Sequence, residues 1–134
     1  TICKDKYHEF KEYHTSEDNL SFVKPEYISA SLEVYRRVQA ILDSNTKIVS
    51  TVKGGEPQLG TRGLYPTIGG ANKQAVSQDS NGSAGFDIDS VMWTLFLADG
   101  EHDLISISEK TGSTFSDIVS IVDSLERTGL VTLA

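Results

Sequence analysis

His14 lies in the stretch KEYHTSEDNLSFV, residues 11–23, directly after Tyr13 and four residues before Asp18. An imidazole and a carboxylate at that spacing can meet at one metal ion or share one turn, and neutral imidazole is a common ligand for zinc and its neighbours. A catalytic metal asks for more. Several imidazoles or carboxylates must converge on one point and leave a coordination position for water. The chain has three histidines, and His8 and His102 are as eligible on composition as His14. It has neither an HExxH nor a CxxC pattern, so it cannot complete a catalytic zinc site unaided. The plainer reading of His14 is a polar residue on a loop. Arg62 is the other candidate, because a guanidinium can hold a carboxylate through two parallel hydrogen bonds. The competing reading is an arginine that pins its loop to the body of the protein.

Elements on either side must position these groups. Residues 1–10 hold Ile2, Tyr7 and Phe10 among charges and read as a short strand and loop. Asp18 followed by Asn19 marks a turn or a helix cap, and Asp18 suits that structural role. Pro25 fits the first turn of a helix, where its missing N–H would be unpaired anyway. Ile28, Leu32, Tyr35, Val38 and Leu42 then fall at helical spacing, which predicts an amphipathic helix from Pro25 to about Asp43, ended by Ser44 and Asn45. Residues 48–52 have the β-branched content of a strand stopped by Gly54 and Gly55. GEPQLGTRGLYPTIGG, residues 55–70, is too punctuated by glycine and proline for a helix. ANKQAVSQDSNGSAG, residues 71–85, has the composition of a mobile linker.

Periodicity returns after residue 85. Ile88, Val91, Met92, Leu95 and Phe96 predict one helical face closed by Asp99 and Gly100, and Asp103 can cap a second helix that Gly112 ends. Thr114 with Asp117 three residues on is a variant of the capping box, opening a third helix whose face is Ile118, Ile121, Val122 and Leu125. Gly129 is placed as its left-handed terminator, and LVTLA follows as a strand. Three short helices and a strand make a helix-turn-helix of the winged type. Trp93 and Phe115 are core residues by default, with packing anchors as the alternative.

The chain of 134 residues is 38% hydrophobic, enough for one modest core or two small ones. The net charge of −7 falls entirely on residues 85–134, where nine acids face two bases, while residues 1–84 balance. Such a break separates two units with different surfaces. The third helix carries Asp117, Asp123 and Glu126 against Arg127. Duplex DNA binds by exchanging its counterions for Lys and Arg, so this surface would be repelled, and no nucleic-acid partner is expected. No apolar run approaches a bilayer span, so no membrane partner is expected. The single cysteine, Cys3, cannot pair internally and fits a reducing cytoplasm. The first residue, Thr1, leads us to treat the chain as a piece of a longer one.

The order of three stretches adds a family resemblance. EYHTSEDNLSFV, residues 12–23, resembles the closing motif of di-zinc aminopeptidases, in which a His follows an aromatic or apolar residue and precedes Thr-x-x-Asp and a long helix. GEPQLGTRGLYPTIGG and LADGEHDLISISEKTG, downstream, resemble one bacterial subgroup of aminopeptidase-like proteins, linked to polysaccharide biosynthesis, that end in a winged helix. Together these similarities cover most of the chain apart from residues 71–85. Lys11 departs from the pattern, since Pro is expected there.

The resemblance implies the C-terminal portion of a zinc-dependent hydrolase that removes N-terminal residues from peptides or cleaves a related amide. It implies two zinc ions in the intact protein, with His14 as the last ligand and the bridging Asp, general-base Glu and remaining ligands supplied from earlier sequence. In some relatives a Tyr at the position of Tyr13 supports the tetrahedral oxyanion. Asp18 can orient the ligand loop or bond backbone N–H groups at the turn, and the cap-like residues after it favour the structural role. The expected fold is the C-terminal piece of an α/β hydrolase domain, residues 1–46, then a connecting strand, loop and linker, residues 47–84, and an α+β winged helix-turn-helix, residues 85–134. Expected partners are the rest of the catalytic domain, a peptide or amide substrate, and further copies in a homo-oligomer. The competing expectation is a non-enzymatic winged-helix adaptor for protein–protein interaction.

Overall fold

The computed structural model describes residues 3–64 and 87–134. Residues 71–85, expected as a linker, lie outside the described residues, as do residues 65–70, the end of GEPQLGTRGLYPTIGG. The chain divides into two compact units, Thr1–Ser44 and Asn45–Ala134.

The first unit is a series of turns leading into helix α1, Pro25–Ser44. The strand expected before Phe10 is not formed among the described residues, which are turns and bends from Ser16 backwards. The apolar residues there are aromatic rings that pack on one another rather than on a sheet. Helix α1 starts where Pro25 predicts and runs one residue past Asp43. Its Glu33 and Arg37 pair across one turn at 3.1 Å. Its apolar stripe is as expected, yet none of its residues is buried.

The second unit has a complete core. Its sheet joins strand β1, Lys47–Ser50, antiparallel to β2, Asp99–Asp103, on one side and to β3, Val131–Leu133, on the other. Ile48 pairs with Leu133, Val49 with Thr132 and Ser50 with Val131. The strand expected as part of a connector is thus the middle strand of this sheet. Asp99 and Gly100, expected to close a helix, instead open β2, and the helix before them ends at Phe96 with Leu97 as its cap. The Asp99 carboxylate accepts the backbone N–H groups of Glu101 and His102, and Gly100 takes a φ of 82°. A Cβ on Gly100 would also lie 3.2 Å from a methyl of Val49, so glycine meets two demands at once.

Three helices cover the sheet: α2, Ile88–Phe96; α3, Leu104–Thr111; and α4, Phe115–Arg127. Each starts at a side-chain cap, with Asp87, Asp103 and Thr114 accepting the backbone N–H of Ser90, Ser106 and Asp117 in turn. The Thr114 hydroxyl also donates to the Asp117 carboxylate at 2.7 Å, so the two residues of the expected box are joined side chain to side chain. Helix α4 ends in a Schellman motif. Gly129, at φ 70°, donates to the carbonyl of Glu126, and Leu130 donates to that of Leu125. Leu125 and Leu130 are both buried, so the terminator is also a core contact.

The core gathers Ile118, Ile121, Val122 and Leu125 from α4 with Ile107, Val91, Ile48 and Val131. Leu59 and Leu64 join it from the loop after β1, which gives the Gly-punctuated segment a packing role. The face of α2 differs from expectation. Val91 and Thr94 are buried and Ile88 and Leu95 pack against the core, whereas Met92 and Phe96 are exposed. A short helix with apolar residues all round does not reveal which stripe turns inward. Thr94 is accepted inside because its hydroxyl donates to the Ser90 carbonyl at 2.7 Å. Phe115 lies partly buried against the core, and Trp93 is exposed.

Candidate functional site

The loop before α1 is built on hydrogen bonds from its own polar side chains. The Thr15 hydroxyl donates to the Glu12 carbonyl at 2.9 Å and accepts the N–H of Glu17. Asn19 accepts the N–H of Ser21 at 2.8 Å through its side-chain oxygen and donates to the Ser16 carbonyl at 3.0 Å. The Asn19 carbonyl then accepts the N–H groups of Phe22 and Val23, which leads the chain toward α1. Thr15 and Asn19 therefore make the side-chain bonds of this turn. Asp18, expected in that role, enters it through its backbone N–H, which donates to the Thr15 carbonyl.

His14 sits at the head of this turn with φ 55°, in the left-handed region that histidine enters more readily than most residues. Its imidazole is exposed and stacks on Tyr13, with centroids 4.0 Å apart and planes 14° from parallel. Tyr13 is half-buried by rings on its other sides. His8 and Phe10 meet it edge-on at 4.5 Å and 5.5 Å, Tyr7 lies tilted to it at 6.1 Å, and Phe10 stacks on Phe22. His8 also has a left-handed backbone, at φ 70°. Two imidazoles thus flank one phenol ring. The contribution of His8 was not foreseen. Its signal, an aromatic at nearly every third position from Tyr7 to Tyr13, is legible only once the turns are known.

The structure brings Tyr13 and His14 together and leaves Arg62 in the other unit. There the Arg62 guanidinium donates to the backbone carbonyls of Pro57 and Thr128. Thr128 caps the C-terminus of α4, where a cation complements the carbonyl ends. This is the loop-pinning arrangement, with the fork turned to backbone oxygens.

Among the described residues no three His, Cys, Asp or Glu side chains converge in a way that could hold a metal ion. Zinc fits this chain only in part: His14 can present one exposed nitrogen donor, held in orientation by the stack on Tyr13. A full ligand set would have to come from other residues.

Electrostatics are most developed in the second unit. The backbone N–H groups of Glu101 and His102, with the His102 imidazole at 2.9 Å, bring Asp99 down to about 2. The Asn45 side-chain amide, at 2.9 Å, and the backbone N–H of Ser106 hold Asp103 below the usual carboxylate range. These acids work as turn and cap acceptors. The outward side of α4 presents Asp117, Asp123 and Glu126, all exposed.

Comparison with known proteins agrees with this division. Residues 47–133 match the profile of a family described as winged helix-turn-helix, and residues 1–45 match a domain of unknown function (DUF4910). Over 124 residues, 92% of the chain, the sequence is 32% identical to a Clostridium acetobutylicum protein. The name of that protein provisionally assigns it to polysaccharide biosynthesis and gives it an aminopeptidase-like domain. A crystal structure from C. acetobutylicum, provisionally named a peptidase, aligns with 95% of the chain at a TM-score of 0.69 and 27% identity. The chain spans about a quarter of the length of each, 26% and 25%.

Proposed function

The chain belongs to the winged helix-turn-helix family through residues 47–133, and from that premise we propose that it is the winged-helix-bearing portion of a zinc-dependent, aminopeptidase-like hydrolase. The intact protein removes N-terminal residues from peptides or cleaves a related amide. The observation that supports this best is the pairing of an exposed imidazole, His14, with the phenol of Tyr13 in one ordered turn. Likeness to a peptidase-named structure along nearly the whole chain supports it as well.

In this reading His14 contributes one ligand to a di-zinc centre completed by residues elsewhere in the intact protein. Bound zinc would supply Lewis acidity toward the scissile carbonyl. Tyr13 holds the imidazole by stacking and offers its O–H to the developing oxyanion. Asp18, four residues after His14, helps to hold the ligand loop through its backbone N–H, which donates to the Thr15 carbonyl. The winged helix serves packing or protein interaction, because the exposed acids of α4 oppose duplex DNA. No helix among the described residues is long and apolar enough to cross a membrane, and a cytoplasmic setting is proposed with the rest.

The test uses the intact protein. His14→Ala should lower bound zinc and aminoacyl-amide hydrolysis together, and Tyr13→Phe should lower turnover about 10²–10³-fold with zinc retained, the cost of one lost oxyanion donor. Equal zinc and equal turnover in His14→Ala and the parent would remove His14 from the site and leave the adaptor reading.

A further inference from the structure

Helix α2 turns Val91 and Thr94 into the core and rests Ile88 and Leu95 against it. That orientation leaves Met92 49%, Trp93 54% and Phe96 75% exposed on the opposite side. The Trp93 and Phe96 rings meet edge to face, 5.6 Å apart and 89° between planes, so they form one continuous aromatic surface. Single exposed apolar side chains are ordinary, but two aromatics and a methionine side by side on one helix are the residue types that fill interface centres. We propose that this face of α2 docks a basic amphipathic helix of a partner protein. The proposal rests on the reading of the winged helix as a protein-interaction module and names its surface and its ligand.

Charge selects the occupant. From Asp87 to Glu109 the chain carries six acids, Asp87, Asp89, Asp99, Glu101, Asp103 and Glu109, and no Lys or Arg. Residues 45–134 have eleven acids against six bases. A second copy would bring the same negative field, and duplex nucleic acid a denser one, so both are opposed. A helix with an apolar stripe and flanking Lys or Arg satisfies both features at once. Its stripe covers the two rings, its stems lie over Met92, and its cations answer the net negative charge of this unit or meet the face of Trp93.

Trp93 is the chain's single tryptophan and reports on its own surroundings. The experiment titrates the 134-residue chain with a Leu/Lys peptide of about 18 residues whose leucines recur at i, i+3, i+4 and i+7. The control has the same composition with its leucines dispersed. The expected result is a saturable blue shift of Trp93 emission, at least about tenfold weaker affinity for the dispersed peptide, and at least about tenfold weaker affinity in Met92→Ser/Phe96→Ser. The double variant should melt within a few degrees of the parent, since both side chains are exposed. Equal affinity for the two peptides, or undiminished binding by the double variant, overturns the proposal. So does a shift that follows protein concentration without peptide and accompanies dimers in sedimentation. If the double variant binds fully while Asp123→Lys/Glu126→Lys on α4 does not, the α2 assignment falls and the interaction reading stands. Salt-sensitive nanomolar binding of duplex DNA with no peptide binding overturns both.

Discussion

Helices α1 and α4 carry the same kind of apolar stripe and meet opposite fates. In α4 every residue of the stripe is buried, from Ile118 to Leu125, whereas in α1 none is. Amphipathic spacing shows that a helix has a face to hide and says nothing about what hides it. The second unit supplies a sheet and two further helices for α4. The first unit offers, among its described residues, only turns and a ring cluster. The two regions also use polar residues differently: Asp103 and Asp99 are tied into the frame of the second unit, while His14 is held by a ring and left open to solvent.

The comparison can be broken most directly by paired truncations in the 134-residue chain. Leu125→Ala should cost about 2–5 kcal/mol in urea unfolding, because the side chain is fully buried and leaves a cavity. Leu32→Ala, at a half-exposed position of α1, should change stability by no more than about 0.5 kcal/mol. A comparable loss at both positions would mean that α1 is covered in solution. A smaller effect sharpens the contrast in polar roles. Asp103→Ala removes the cap of α3 and the partner of Asn45, and should cost about 1 kcal/mol, read as a lower thermal midpoint.

The smallest effect is a pH limb. The carboxyl of Asp99 titrates near 2 in the folded chain, below an ordinary value of 3.8, so the native state binds fewer protons than the unfolded one. Its contribution is therefore complete at neutral pH and down to about 4, and is lost as pH falls from there through about 2. Asp103 shifts in the same direction and adds to the same limb. Asp99→Asn should flatten that part of the acid unfolding profile, and a profile of unchanged steepness would show that the turn does not depend on the charge.

What could be read in advance was local chemistry. The caps at Asp103 and Thr114, the glycine terminators at Gly112 and Gly129 and the buried face of α4 each follow from residues within a few positions of one another. The role of β1 was hidden because its partners, Asp99–Asp103 and Val131–Leu133, lie half a chain away and a four-residue run names neither. The inward face of α2 was ambiguous because Met92 and Phe96 are as apolar as Val91 and Leu95. At the candidate site, the sequence singled out the Tyr13 and His14 pair, while the ring of His8 against Tyr13 depends on backbone turns that composition does not specify.

The place of β1 also sets where the winged helix can be cut. Excised at residue 85, it would keep its three helices together with β2 and β3, but those strands are not neighbours. Each would present a raw edge to the gap between them, and Ile48, wholly enclosed in the intact chain, would leave a hole in the floor beneath the helices. A portable version has to start no later than Asn45, whose side chain also steadies the first turn of α3.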